Sequence, residues 1–412
     1  MRRIEANRVP SALGLLTALA ITLWYANVST LRAASPESSS KSAAAIFQRA
    51  ELTGSDLQQD SFFGSAVAIS GNTIVVGAPG NAEVGHNVPG AAYVFVKPTG
   101  GWHNMTQIAK LTTSDGGSDP GNRFGSSVAI SGNTIVVGSF FDKAYVFVMP
   151  ATGWADMTET AQLINSCFSC DVAIDGDTVV VGAPADELAG EAAVFVRPAT
   201  GWQSTAQPNA TLTESIPTMN DGFGSSVASS GNTIVATVAL NGGSSAVCLF
   251  VQPAGGWSGH LVPTATLSST EHHANFFSVT SGVSISGNTV ATGSPDGENF
   301  SFVDVWVKPA AGWRDMIETA QLTDGRSNDG FGTSTAVAGD RIVVGRGAEP
   351  AFLFKKPLHG WKTTDKWAAA LKASNRTDNF GTSVATSGST TVVGAPGGFD
   401  FRNLGAAYVF VE

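Results

Sequence analysis

Seven times along the chain, a short apolar run, a tight polar turn and a second apolar run recur. The first copy reads FGSAVAISGNTIVVGAP over residues 63–79. In it, residues 66–69 lead into Ser70-Gly71-Asn72, residue types suited to a hairpin with positive φ. The run 73–76 that follows is β-branched and nearly all apolar, as expected of a strand covered on both faces. Sister copies begin at Phe124, Phe168, Phe223, Phe331 and Phe380. One more, around Phe277, carries two extra residues before VSISGNTVATGSP. A third apolar run, AAYVFV at 91–96, returns in every copy as KAYVFV, EAAVFV, AVCLFV, VDVWV, AFLF and AAYVFV. After it comes a Pro-x-x-Gly-Trp turn and a fourth run carrying Ala-x-Leu.

The hairpin glycines are Gly71, Gly132, Gly176, Gly231, Gly287, Gly339 and Gly388, spaced by 44 to 61 residues. That interval holds four short strands and their turns, so the pattern predicts an all-β, seven-bladed β-propeller of four-stranded antiparallel blades. The two ends of the chain support this count. The last copy stops at its third run, 406–411, with no Ala-x-Leu after it. The missing run stands at the other end as Ala50-Glu51-Leu52. An N-terminal outer strand is therefore expected to complete the seventh blade and remove an open seam.

Composition changes this picture only at the margins. Forty-seven glycines among 412 residues and a charged fraction of 14% fit many tight turns between stacked sheets. The net charge of −10 argues against nucleic acid as a partner, which needs a basic footprint. Arg2, Arg3 and Arg8 precede an apolar stretch over 13–26, the layout of an export signal. Residues 1–34 are read as a signal peptide or an uncleaved N-terminal membrane anchor, and 35–45 as a Ser-rich linker; 46–412 is the propeller. Both N-terminal readings place the propeller outside the cytoplasm, secreted or at the cell surface. Without residues 1–34 the chain carries 19 basic and 32 acidic residues, a net of −13 that favours solubility and cationic partners.

Phe63-Gly64 with Gly77-Ala78-Pro79, repeated at Phe380-Gly381 with Gly394-Ala395-Pro396, resembles the FG-GAP repeat family. The resemblance spans about residues 46–412. It implies a seven-bladed propeller like the head of integrin α subunits, and extracellular binding or adhesion. Integrin blades often carry an Asp-x-Asp-x-Asp-Gly calcium loop in the first hairpin. The nearest approach here is Asp175-Gly176-Asp177, too few oxygens for calcium. No metal and no cofactor are expected.

In a propeller of this connectivity, the strand 1–2 and 3–4 turns share one face and are short and uniform. The strand 2–3 and blade-to-blade loops share the other and vary strongly, from PGNAEVGHNVPG in blade one to a few residues around Phe140 in blade two. Function concentrates in loops held by a rigid scaffold, so the variable face is the candidate binding face. Its candidate residues are Asp60, Asp221, Asp329 and Asp378, which recur just before the Phe-Gly element, and the aromatics Phe141 and Phe399. The carboxylates read either as an acidic ring near the axis or as local caps of turns. Six turn tryptophans, Trp102, Trp154, Trp202, Trp257, Trp313 and Trp361, read as sugar platforms or, from their identical placement, as structural wedges. Cys167 and Cys170 form a C-x-x-C at a strand start, structural rather than redox-active by position; Cys248 is the third cysteine. Glu271, His272 and His273 are read as solvated.

No Gly-x-Ser-x-Gly, His-Glu-x-x-His or phosphate-cradling Gly-x-x-x-x-Gly-Lys motif occurs. The expected function is noncatalytic recognition of an extracellular protein or glycan. The alternatives are a structural component of an envelope or matrix and a glycan-active enzyme with an axial site.

Overall fold

The computed structural model describes residues 46–412 apart from 82–86, 117–119, 185–188, 218–220, 240–244, 271–281, 295–300, 327–328, 376–378 and 398–403. The signal or anchor segment and the linker lie outside the described residues, as do Glu271, His272 and His273. Seven antiparallel sheets succeed one another along the chain. In blade one, Ala66–Ser70 pairs with Thr73–Ala78, then Ala91–Val96, then Ala109–Thr112. The first strands of neighbouring blades pack side by side around a common axis, so the ring closes as a seven-bladed β-propeller. Among the described residues no helix is long and apolar enough to cross a membrane.

Closure follows the expected scheme and extends it. The N-terminal strand Gln48–Thr53 runs antiparallel to the last strand, Ala406–Val411, with Ala50 opposite Val409 and Leu52 opposite Ala407. A further element appears after each Gly-Trp turn. A short segment of one blade lies parallel to the outer strand of the blade before it, giving several blades a fifth strand. Met105, Met157 and Met316 begin such segments, four residues before the Ala of Ala-x-Leu. Two residues before that Ala, Gln107, Glu159 and Glu318 accept the backbone N–H of Ser55, Ser114 and Thr270 across the blade junction, at 2.9, 2.9 and 3.0 Å. The N-terminus reproduces both devices. Gln48 accepts the N–H of Ser374 at 2.7 Å, and Ile46 packs where a methionine packs elsewhere.

The core is seven interblade layers rather than one central mass. Each apolar cluster is built from the facing surfaces of two adjacent blades. The Phe of the Phe-Gly element anchors most of them: Phe63 lies edge-on to Tyr93 at 5.3 Å, and Phe124 edge-on to Tyr145 at the same distance. The motif's glycines have a steric reason. A Cβ on Gly77 would sit 2.0 Å from the carbonyl oxygen of Gly125, the Phe-Gly glycine of the next blade. Gly-Ala-Pro and Phe-Gly are thus the two sides of one backbone-to-backbone contact between blades. Blade four carries Thr237 at the first column. Its hydroxyl instead accepts the N–H of Ser226 at 3.0 Å within its own sheet.

Candidate functional site

Side chains of the seven inner strands line the axis. At the hairpin end a polar cavity of about 670 Å³ is rimmed by Ser70, Ser131, Asp175, Ser230, Ser286 and Arg341, among others. This rim is a stitch. Ser70 Oγ accepts the N–H of Gly132 in the next blade at 3.1 Å, and Ser131, Ser230 and Ser286 do the same for Gly176, Gly287 and Gly339. Asp175, the nearest approach to a calcium loop, spends its carboxylate on the N–H of Gly231 in the same way, while Asp177 pairs with Arg197. The repeated Ser-Gly therefore joins blades as well as turning the chain.

At the loop end the expected candidates separate. Asp221 is buried and accepts the N–H of Phe223 at 2.9 Å, with Gly190 at 3.4 Å. Asp329 accepts the N–H of Phe331 at 3.1 Å. Both carboxylates thus hold the turn that presents the Phe-Gly element. Asp60 is buried, with φ of 62°. The three occupy different blade junctions, because each precedes a different Phe-Gly element. Asp378 and Phe399 lie outside the described residues. Phe141 is 42% exposed at the loop end of blade two, as the first residue of the strand Phe141–Val148, and meets Phe140 edge-on at 4.9 Å; the Arg123 guanidinium lies 5.2 Å from the Phe140 ring.

Two arrangements escaped the sequence reading. In blade six, Arg346 replaces the Ala of Gly-Ala-Pro and bridges Asp324 and Asp329, at 3.3 Å each. Burial first, and the neighbouring Asp329 next, push the Asp324 carboxyl up. The second is Asp171, half-buried where the inner strand of blade three begins. It lines a cavity of about 390 Å³ with Ser126, Ser127, Ser169, Ser225 and Ser226. The available signal was a column: the residue three after the motif Phe is Ala66, Ser127, Ser226, Ser334 or Ser383 in other copies, and a carboxylate only here.

The tryptophans are wedges. All six are at most 8% exposed, and each belongs to the apolar layer between its own blade and the preceding one, out of reach of a sugar ring. Cys170 is disulfide-bonded. Cys248 is a free thiol, pushed up to about 12 by burial and then by the charges of Glu214 and Asp221, so it is not a thiolate at neutral pH. Among the described residues no group of three His, Cys, Asp or Glu is arranged to hold a metal ion.

Fold and site together define a closed seven-bladed β-propeller with one stitched face and one variable face. The FG-GAP repeat model matches residues 46–95, 105–148, 165–196 and 370–410. The chain carries FG-GAP repeats in these four places, on a scaffold of the binding or adhesion type and typical of extracellular or cell-surface proteins. Among solved structures, the computationally designed Ika8 protein is similar at 16% identity, with a TM-score of 0.50, covering 89% of this chain and 100% of that one. That likeness concerns fold alone. No curated protein matches the chain.

Proposed function

We propose that this chain is a noncatalytic, secreted or cell-surface propeller that recognises an extracellular protein or glycan through its variable loop face. The observation that carries the reading is the contrast between the two ends of the blades. Hairpin-end turns are nearly uniform and their polar groups are engaged in joining blades. Loop-end connections differ in length from blade to blade and carry exposed groups such as Phe141. Uniform turns serve the ring, whereas non-repeating loops supply the asymmetric surface that one partner needs. Phe141 beside Phe140 and Arg123 gives that surface an aromatic and cationic patch of the kind enriched where proteins bind. The acidic chain speaks against nucleic acid. Membrane attachment, if any, runs through residues 1–34.

The test is a screen of the purified propeller against arrays of glycans and extracellular proteins. It is repeated with Phe141→Ala on the loop face and Leu358→Ala on the hairpin face, where Leu358 is fully accessible in a turn. Binding weakened by the first variant and untouched by the second is expected. Turnover of a polysaccharide, or binding lost only through the hairpin-face change, would overturn the reading.

A further inference from the structure

The hairpin-end cavity on the axis offers groups that blade joining leaves unused. Ser70, Ser131, Ser230 and Ser286 each accept one N–H, and among the described residues none of the four donates its own proton. Each hydroxyl therefore keeps a donor and a lone pair. Asp175 spends one carboxylate oxygen on Gly231, and its other oxygen has no partner among the described residues. The other charges on this rim are matched. Asp340 pairs with Lys356 at 3.2 Å, and Arg341 with Glu412 at 3.4 Å.

Deeper along the axis the lining turns apolar. One residue back from the rim, Ile69, Ile130, Ile174, Ile285 and Val337 form a belt that Ser229 and Thr386 complete. The same seven residues line a second cavity, of about 240 Å³, so the two spaces are continuous. Two residues further back, that cavity is lined by Val67 and its five valine counterparts, with Thr335 in the seventh place. The two apolar rings stand about 7 Å apart along the strands. Ile69, Ile130 and Val337 are only half-buried, so apolar surface is left facing the passage.

A polar mouth over an apolar bore has the polarity profile of a single-chain amphiphile. Water finds few polar partners in such a bore, whereas an alkyl chain covers its aliphatic walls. Neither ring carries an aromatic side chain on which a flat ligand would stack. The mouth does not favour an anionic head, because its arginine is already paired and Asp175 would repel the charge. Its four neutral hydroxyls donate and accept alike, which matches a head bearing hydroxyls of its own, and the free Asp175 oxygen accepts from such a head. The volumes are of small-molecule size.

We propose that the axial passage binds a single-chain alkyl amphiphile with an uncharged, hydroxylated head. The chain lies along the isoleucine and valine rings, and the head sits among the rim serines and Asp175. This site is at the end of the axis away from the variable loops, so it goes beyond recognition of a macromolecule by that face and is tested separately.

The experiment titrates the purified propeller by calorimetry with octyl glucoside and with monooctanoylglycerol, each below its micelle-forming concentration. These two distinguish a sugar head from a glycerol head. Glucose tests the head alone, and octanoate and octylamine test charged heads. The variant carries Ile69→Thr with Ile130→Thr, threonine being the residue that blade seven holds in this column as Thr386. Thermal unfolding verifies that it folds, and Ile130→Thr alone replaces it if it does not. Saturable binding of at least one neutral amphiphile is expected, weakened about tenfold or more in the variant. Glucose and the charged-head compounds should bind more weakly. No saturable binding of either neutral amphiphile, equal binding by the variant, glucose binding as tightly as octyl glucoside, or a preference for a charged head would overturn the proposal.

Discussion

The junction between blades six and seven differs from the other six in how it is held. Elsewhere a turn tryptophan fills the layer between neighbouring blades, as Trp361 does between blades five and six. The layer between six and seven contains no tryptophan among its described residues. Leu353, Leu371, Phe380, Tyr408 and Phe410 build it, with Ile46 packed against them. The last blade is completed by the chain's other end, through Gln48–Thr53 on Ala406–Val411. At the hairpin end the stitch also changes. Ala338 stands where four blades have a stitching serine, and Arg341 stands where all six others have threonine. Arg341 reaches the carbonyl of Gly388, the hairpin glycine of blade seven, and pairs with Glu412 at 3.4 Å. The difference teaches that a repeat protein meets the cost of ring closure at one place, with groups that depart from the repeat.

The largest effect should come from undoing the closure. Removing residues 46–53 deletes the outer strand of blade seven, the fully buried Ala50 and Leu52, the Gln48 cap and Ile46. It also leaves the edge of Ala406–Val411 open. A loss well beyond ~5 kcal/mol is expected, since one buried Leu→Ala change alone costs about 2–5 kcal/mol. Thermal unfolding with and without the segment checks this. An unchanged melting temperature would mean that the ring does not rely on its N-terminal strand.

A sharper version compares wedges. Trp257→Ala empties a site that is 4% exposed between blades three and four, and should cost about 3–5 kcal/mol. Ile46→Ala at the junction without a tryptophan trims a smaller, partly buried side chain and should cost about 1–2 kcal/mol. The expected order is the tryptophan first by a clear margin in denaturant midpoint. Equal losses would show that the N-terminal segment bears as much as a wedge, and would shift the weight of the comparison towards the terminal junction.

The fold was legible because a propeller writes the same physics seven times. Alternation, Ser-Gly-Asn hairpins and Ala-x-Leu runs each recur, and the unmatched Ala50-Glu51-Leu52 gives away the closure. The candidate site was much less legible, for a related reason: it consists of departures from the repeat. Asp221 and Asp329 look like a recurring acidic feature in one dimension, but each holds the N–H two residues ahead. Asp171 hides in FSCD, a copy so degenerate that its column is hard to see. Its neighbours Ser127 and Ser226 lie 44 and 55 residues away in sequence. Arg346 between Asp324 and Asp329 likewise depends on which side of a sheet a side chain leaves. The Ser-to-Gly stitch uses the serine of four hairpin Ser-Gly pairs, yet turn chemistry explained the pair well enough that a second role had no separate signature.

The smallest expected effect concerns the ion pairs that mark the terminal junction. Glu412 occupies the column that holds Lys97, Met149, Arg197, Gln252, Lys308 and Lys356 in the other blades, and its carboxylate meets Arg341 and Lys355 of blade six. Arg341 and Glu412 are each exceptional in their columns, and they meet each other. Partly exposed pairs contribute about 0–1 kcal/mol, because water already solvates both charges and holding the side chains together costs entropy. Glu412→Gln should therefore lower stability by at most about 1 kcal/mol, and the difference should shrink as salt is raised. Arg341→Thr, which restores the residue of the other blades, should cost somewhat more, because it also removes the donor to Gly388. If the two losses are additive in the double variant, Glu412 acts independently of Arg341; if the double variant loses no more than Arg341→Thr alone, Glu412 acts through Arg341, and the excess of Arg341→Thr over Glu412→Gln belongs to the Gly388 tie. That cycle separates a blade-to-blade backbone tie from a surface charge pair at the junction of blade six with the one blade built from both ends of the chain.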